Sequence, residues 1–121
     1  MARSLLLSIA GYEVRTATSA EAAWSLFRST HVDVVLTEQY LPGMKGDQIA
    51  RPMKRLKPEI LFVLLNGALD PPMATDDIDM VLMKCLEPAV FLRSIEKLIA
   101  RRKLSIVPPM RKEIGSTTSA P

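Results

Sequence analysis

The chain has one cysteine, Cys85, which excludes an internal disulfide framework and suits a reducing cytoplasm. Cys85 itself reads as a buried, inert thiol rather than a reactive one. There is one histidine, His31, placed as a loop residue after a helical segment, so no His-based catalytic or zinc constellation can be assembled. No apolar run approaches the ~20 residues that a membrane-spanning helix needs. Aromatic residues make up 5% of the chain, with one Trp and two Tyr to stack on bases. Acidic residues are not grouped as a calcium loop either: Asp76, Asp77 and Asp79 lack its spacing and glycine, and read as solvated.

What is present is an ordinary globular composition. At 121 residues and 48% hydrophobic, the chain is long enough for one domain with a real core. The net charge of +3 is mild. Its basic residues gather in Arg51–Lys57, Arg101–Lys103 and Arg111–Lys112, where solvated helix surfaces and a tail explain them better than a nucleic-acid site. Residues 2–10 have the outline of a short signal peptide. Their apolar run is brief and leads straight into a strand-like segment, which favours an amphipathic helix.

Leu5, Leu6, Ile9 and Ala10 recur at helical spacing, and Gly11 is a suitable stop. Tyr12–Thr16 alternates with period two, as a strand with one solvated face does. Thr18-Ser19-Ala20-Glu21 has the form of a capping box, opening a helix with Ala20, Ala23, Trp24 and Phe27 on one stripe. Val34-Val35-Leu36 is short and β-branched, as in a strand buried on both faces. Leu41-Pro42-Gly43 forces a turn, and Gly46-Asp47 starts a helix that Pro52 should kink or delay. Ile60–Leu65 is a second buried strand, and Met80–Met83 a third apolar strand. Pro88 takes the first turn of a helix running to Lys103, with Phe91, Leu92, Ile95, Leu98 and Ile99 inward. Met73–Ile78 has room for a turn or two of helix. Such alternation of strands and helices predicts a parallel sheet covered on both faces. From Leu104 onward Pro, Ser, Thr and Gly dominate, so residues 104–121 read as a flexible tail after a 1–103 domain.

Three polar residues stand where strands end: Glu38, Asn66 and Lys84. In a parallel sheet the carboxyl ends lie side by side, so the three are expected to converge on one edge, where open α/β sheets place their chemistry.

On these residues the chain resembles the receiver domain of two-component response regulators over roughly 1–103. The stretches that carry the resemblance are Gly11-Tyr12-Glu13-Val14, Asp33–Glu38, Leu41-Pro42-Gly43-Met44-Lys45-Gly46 and Met83-Lys84. The resemblance implies a flavodoxin-like α/β fold: a three-layer, five-stranded parallel sheet in order 2-1-3-4-5. It also implies a cytoplasmic signalling module of a bacterial phosphorelay, not an enzyme, whose partner is a histidine kinase or an output protein. Family members carry a phosphoryl group on an Asp, with Mg²⁺ held by that Asp and an acidic pair after the first strand. Glu38 stands at the acceptor Asp, Asn66 at a relay Ser/Thr, Val81 near a switch aromatic, and Lys84 at the matching Lys, followed by Cys85 where Pro is usual.

These departures point one way. Mg²⁺ takes an octahedron of oxygen ligands, and one Glu without an acidic pair is a poor site, so its binding is expected to be weak or absent. Without the metal only Lys84 offsets phosphoryl charge, on which the transfer depends. Glu38 also sets its carboxylate one methylene further out, and misplacement by ~1 Å can cost ~100-fold. A pseudo-receiver acting through the Met73–Lys103 face is therefore expected. A Glu38–Lys84 pair would imitate an active-like state incompletely, with one negative charge against roughly two for phosphate. The alternatives are a phosphoaccepting receiver with its acidic pair upstream of Met1, or a basic DNA-associated protein.

The family's first strand has no counterpart, because Met1 falls inside what resembles its first helix. Four strands are thus expected, with Val32–Thr37 left as an apolar edge open to pairing. Tyr12–Thr16 could close onto that edge, a second copy could pair with it or swap, or Met1 could be a trimmed start.

Overall fold

The computed structural model describes residues 3–41, 44–67, 76–102 and 113–116. In chain order the elements are α1 (Arg3–Ile9), β1 (Glu13–Thr16), α2 (Ala20–Ser29), β2 (Val34–Glu38), β3 (Tyr40–Leu41), β4 (Met44–Lys45), α3 (Gly46–Leu56), β5 (Leu61–Asn66), β6 (Met80–Met83), α4 (Pro88–Arg102) and β7 (Glu113–Ser116). Five strands form one sheet in the order β1-β7-β2-β5-β6, and every pairing in it is parallel. β3 and β4 make a separate two-stranded antiparallel ribbon just beyond β2.

Alternation along the central strands builds two cores. On one face Val34 and Leu36 of β2 join Leu61, Val63 and Leu65 of β5 with Leu7, Phe91, Ile95, Leu98 and Ile99. On the other, Val35, Ile60, Phe62 and Leu64 pack with Ala20, Ala23, Phe27, Ile49, Ala50 and Met53. A period of two can only do this when both faces are covered, which is why β5 is buried at every residue. The flavodoxin-like α/β class is thereby established.

The strand count and the tail differ from expectation. β7, from the segment read as a flexible tail, lies between β1 and β2 and pairs with both: Glu13 with Glu113 through Thr16 with Ser116, and Val34 with Ile114 through Leu36 with Ser116. The sheet therefore has five strands rather than four. Val32–Thr37 is not left as an open edge, and Tyr12–Thr16 does not close onto it. Composition misled here because Glu-Ile-Gly-Ser has no apolar alternation. What recruits it is the backbone of two facing strands, whose N–H and C=O groups need partners inside the fold. The remainder of 104–121 lies outside the described residues, as do residues 73–75 of the expected short helix; Asp76 and Asp77 form a turn.

Other corrections are local. In α1 it is Leu7 that is buried, while Leu5 and Ile9 are 52% and 68% exposed. The cap of α2 is Ser19, whose Oγ accepts the Ala22 N–H at 3.1 Å, so Glu21 falls one residue short of the reciprocal position. α3 starts at Gly46 and continues through Pro52 without a late start. β6 is an edge strand with only Leu82 buried. Cys85 is exposed. Arg51, Lys54 and Lys57, and the acids Asp77 and Asp79, are engaged rather than merely solvated, whereas Asp76 is exposed. Arg51 pairs with Asp77 at 3.4 Å, and Lys54 with Asp79 at 2.6 Å. Lys57 Nζ donates to the carbonyls of Phe27 and Thr30 at the end of α2.

Tyr12 sits in the first core, 5% exposed. Burial holds its hydroxyl above the ordinary tyrosine value of 10, and the nearby Glu96 carboxylate adds to the effect. Because the folded value exceeds the unfolded one, the stabilisation is fully present below about pH 10 and is lost as pH rises through the folded value. Urea midpoints measured from about pH 9 to about pH 12 are expected to fall, and Tyr12→Phe is expected to flatten that part of the decline. An equal decline in both proteins would contradict the assignment.

Candidate functional site at the carboxyl edge of the sheet

β2 delivers Glu38 to the carboxyl edge because Val34, Val35 and Leu36 are anchored in the two cores and Thr37 is buried beneath it. Register places its neighbours. Glu38 pairs with Leu65, so Asn66 lies one residue further along β5. Asn66 in turn pairs with Met83, and Lys84 follows directly, its N–H donating to the Asn66 carbonyl at 2.9 Å. The convergence of Glu38, Asn66 and Lys84 is thus a consequence of parallel register. Val81 is further back on the same edge strand, opposite Leu64 and 37% exposed.

Glu38 is not free. Its Oε1 lies 2.5 Å from Lys84 Nζ, and its Oε2 lies 3.7 Å from Arg3 Nη2. The carboxylate is 21% exposed, Arg3 27% and Lys84 42%, so the group is partly shielded from water. One anion faces two cations. The 2.5 Å contact is a short charge-assisted bond, whereas Arg3 contributes mainly charge at its distance.

The ground beside Glu38 is set by Gln39, which is buried. Its carbonyl accepts the Gly46 N–H at 2.7 Å, its Oε1 accepts the Asp47 N–H at 3.0 Å, and its Nε2 donates to Asp47 Oδ1 at 2.8 Å. Gln48 Oε1 accepts the Lys45 N–H at 3.1 Å. N–H groups of the first turn of α3 are thereby satisfied and the helix is tied to the end of β2. Gly46 is needed at this junction because a Cβ there would overlap the Glu38 carbonyl oxygen and lie 2.9 Å from Leu64 Cδ1.

Arg3 and Gln39 are the residues that sequence reasoning missed. Arg3 was visible only as one charge ahead of an apolar helix, 35 positions from Glu38, and nothing local links them. Among the described residues no group of three His, Cys, Asp or Glu could hold a metal ion, and the one carboxylate at this edge already faces two positive charges.

An open parallel sheet, helices on both faces and an acid–lysine pair at its carboxyl edge define a flavodoxin-like α/β domain. Residues 1–100 match the response regulator receiver domain family, and the chain belongs to it. It is similar to a response regulator receiver domain from Clostridium thermocellum, at 28% identity and a TM-score of 0.76 over 85% of this chain and 86% of that one. It is also similar to the response regulator TrrA from Thermotoga maritima, solved in complex with Mg²⁺-BeF, at 26% identity and a TM-score of 0.68 over 79% and 88%. A CheY-like receiver from Methanospirillum hungatei shares the fold at 19% identity and a TM-score of 0.74, over 85% and 86%. No curated protein matches the sequence. Receiver domains are signalling modules that bind Mg²⁺ at their phosphorylation site and interact with histidine kinases and output domains. Among the described residues no helix is long and apolar enough to cross a membrane.

Proposed function

We propose that this receiver domain does not accept a phosphoryl group and works instead as a pseudo-receiver, through protein–protein contacts. The observation that carries the reading is the engagement of Glu38, at the acceptor position, by Lys84 and Arg3. Arg3 supplies beside the carboxylate the positive charge that a metal would otherwise bring. A dication approaching this site meets two cations and one carboxylate, so Mg²⁺ binding is weak or absent.

The domain does not switch. Glu38 reaches Lys84 without modification, yet it offers one charge and two oxygens where a phosphate offers roughly two charges and three oxygens. Asn66 stands in place of the relay hydroxyl, and Val81 in place of an aromatic. The contact surface lies in Met73–Lys103, of which residues 76–102 are described. Val81, Met83 and Val90 are exposed there at 37%, 37% and 38%, apolar side chains available for contact with a histidine kinase or an output protein.

Incubation with acetyl phosphate, or with beryllofluoride and Mg²⁺, is expected to give no mass adduct and no change in Trp24 fluorescence. A stoichiometric response that disappears in Glu38→Gln would overturn the reading.

A further inference from the structure

We propose that a second copy of this chain packs on the outer face of α2, antiparallel and about a two-fold axis, so that Glu21 of each copy meets Arg28 of the other. A groove of about 760 Å³ runs along this face, lined by Ala20, Glu21, Trp24, Ser25 and Arg28 of the helix and by Met44 of the β3–β4 ribbon. Glu21, Ser25 and Arg28 are exposed, and Trp24 is partly buried.

The groove is held in shape from beneath. Trp24 and Met44 both rest on the second core. The Trp24 ring meets the buried Phe27 ring edge-on, at 5.8 Å and 84°, and the Arg28 guanidinium lies 5.7 Å from the Trp24 centroid. A fixed aromatic face with an arginine beside it is the pairing of side chains that most often anchors a protein interface.

Charge decides the occupant. Seven residues make two helical turns to within ~20°, so Glu21 and Arg28 stand on one side of α2, ~10.5 Å apart along its axis, with Trp24 and Ser25 midway. An acid at one end and a base at the other are complementary to their own reverse. A two-fold axis through the Trp24–Ser25 position sets the second copy's Arg28 against Glu21 and its Glu21 against Arg28, with the two Trp24 side chains at the centre. This is the isologous contact that a symmetric dimer requires. A parallel arrangement opposes like charges, and a partner of one sign satisfies only one end.

Apolar burial at the centre supplies the affinity, while the exposed ion pairs, each worth little in water, fix the orientation. One helix face is a small interface, so association is weak and rises with concentration. α2 covers the second core and α4 the first, so pairing through α2 leaves α4 of both copies open. This inference is independent of whether Glu38 is phosphorylated.

Charge reversal in the full-length chain supplies the test. Light scattering of the unmodified chain should show mass rising with concentration toward twice 13.4 kDa, accompanied by a blue shift from Trp24, the sole tryptophan. Glu21→Arg and Arg28→Glu are each expected to weaken self-association at least about tenfold, because each sets two like-charge pairs across the axis. Mixing the two variants in equal amounts is expected to restore it, since both contacts in the mixed dimer again join opposite charges. Recovery on mixing also shows that both variants are folded. Three results would each overturn the proposal. One is a monomer at every concentration at which the unmodified chain stays soluble. Another is a dimer that both reversals leave unchanged, and the third is a loss in both variants, with unchanged circular dichroism, that mixing does not restore.

Discussion

Gly46→Ala is expected to lower the melting temperature by roughly 10 °C or more. The added Cβ would meet the Glu38 carbonyl oxygen and Leu64, and the first of these is backbone that cannot rotate away. Relief requires α3 to withdraw from the end of β2, which strains the Gly46 N–H to Gln39 carbonyl bond and the Gln39–Asp47 pair. Overpacking of this kind costs about 3 kcal/mol, and in a domain of this size each kcal/mol shifts Tm by about 4–8 °C. Gly11→Ala is the control. Gly11 has φ +101°, but a methyl group there would meet nothing within 4 Å, so only the backbone preference, about 1 kcal/mol, is lost. Equal melting temperatures for the two variants would show that the close approach at Gly46 is not a constraint.

Asp79→Ala is expected to cost roughly 2–4 kcal/mol, read from urea midpoints. Asp79 Oδ2 accepts the Phe62 N–H at 2.7 Å and Lys54 Nζ at 2.6 Å, while its own N–H donates to the Phe62 carbonyl at 2.9 Å. Phe62 is fully buried, so truncation leaves its N–H without an acceptor in a dry part of the sheet. Lys54 retains the Ile60 carbonyl and loses its counter-charge. Asp79→Asn keeps an acceptor and should cost less than half as much. The effect should travel along β6, because this is where that edge strand is pinned to β5. Faster hydrogen exchange at the Lys84 amide, whose acceptor is the Asn66 carbonyl, is the second readout. An unchanged midpoint in Asp79→Ala would show that the carboxylate is dispensable.

Both predictions concern supports of the Glu38–Lys84 pair that are only partly legible in the sequence. Gly46 is legible as a helix start after a turn, but its closeness to Glu38 is not. Asp79 reads as one of several surface acids, because a carboxylate that caps a buried strand N–H looks no different in sequence from one in water. Lys54 and Lys57 are misread in the same way: their targets lie 6 and 30 positions away, outside α3. In α1 the helical period is correct and the buried side is not. Six of its seven residues are apolar or small, so the pattern leaves the inward face undetermined until β1 and α4 close over Leu7.

What the sequence alone determined is everything that depends on short-range periodicity and on order. Runs such as Val34-Val35-Leu36 and Leu61–Leu65 are short and bounded by turn signals, as strands buried on both faces are. Their alternation with amphipathic helices dictates a parallel sheet, and a parallel sheet brings Glu38, Asn66 and Lys84 to one edge by register. The tertiary structure decided what has no local signature. It paired Arg3 with Glu38 across the fold, left β6 as an exposed edge, and drew Glu113–Ser116 into the interior of the sheet. The first and the last share a physical reason. Each follows from a demand created elsewhere in the fold, an unpaired charge or an unpaired backbone, and the segment that answers it needs proximity rather than any pattern of its own.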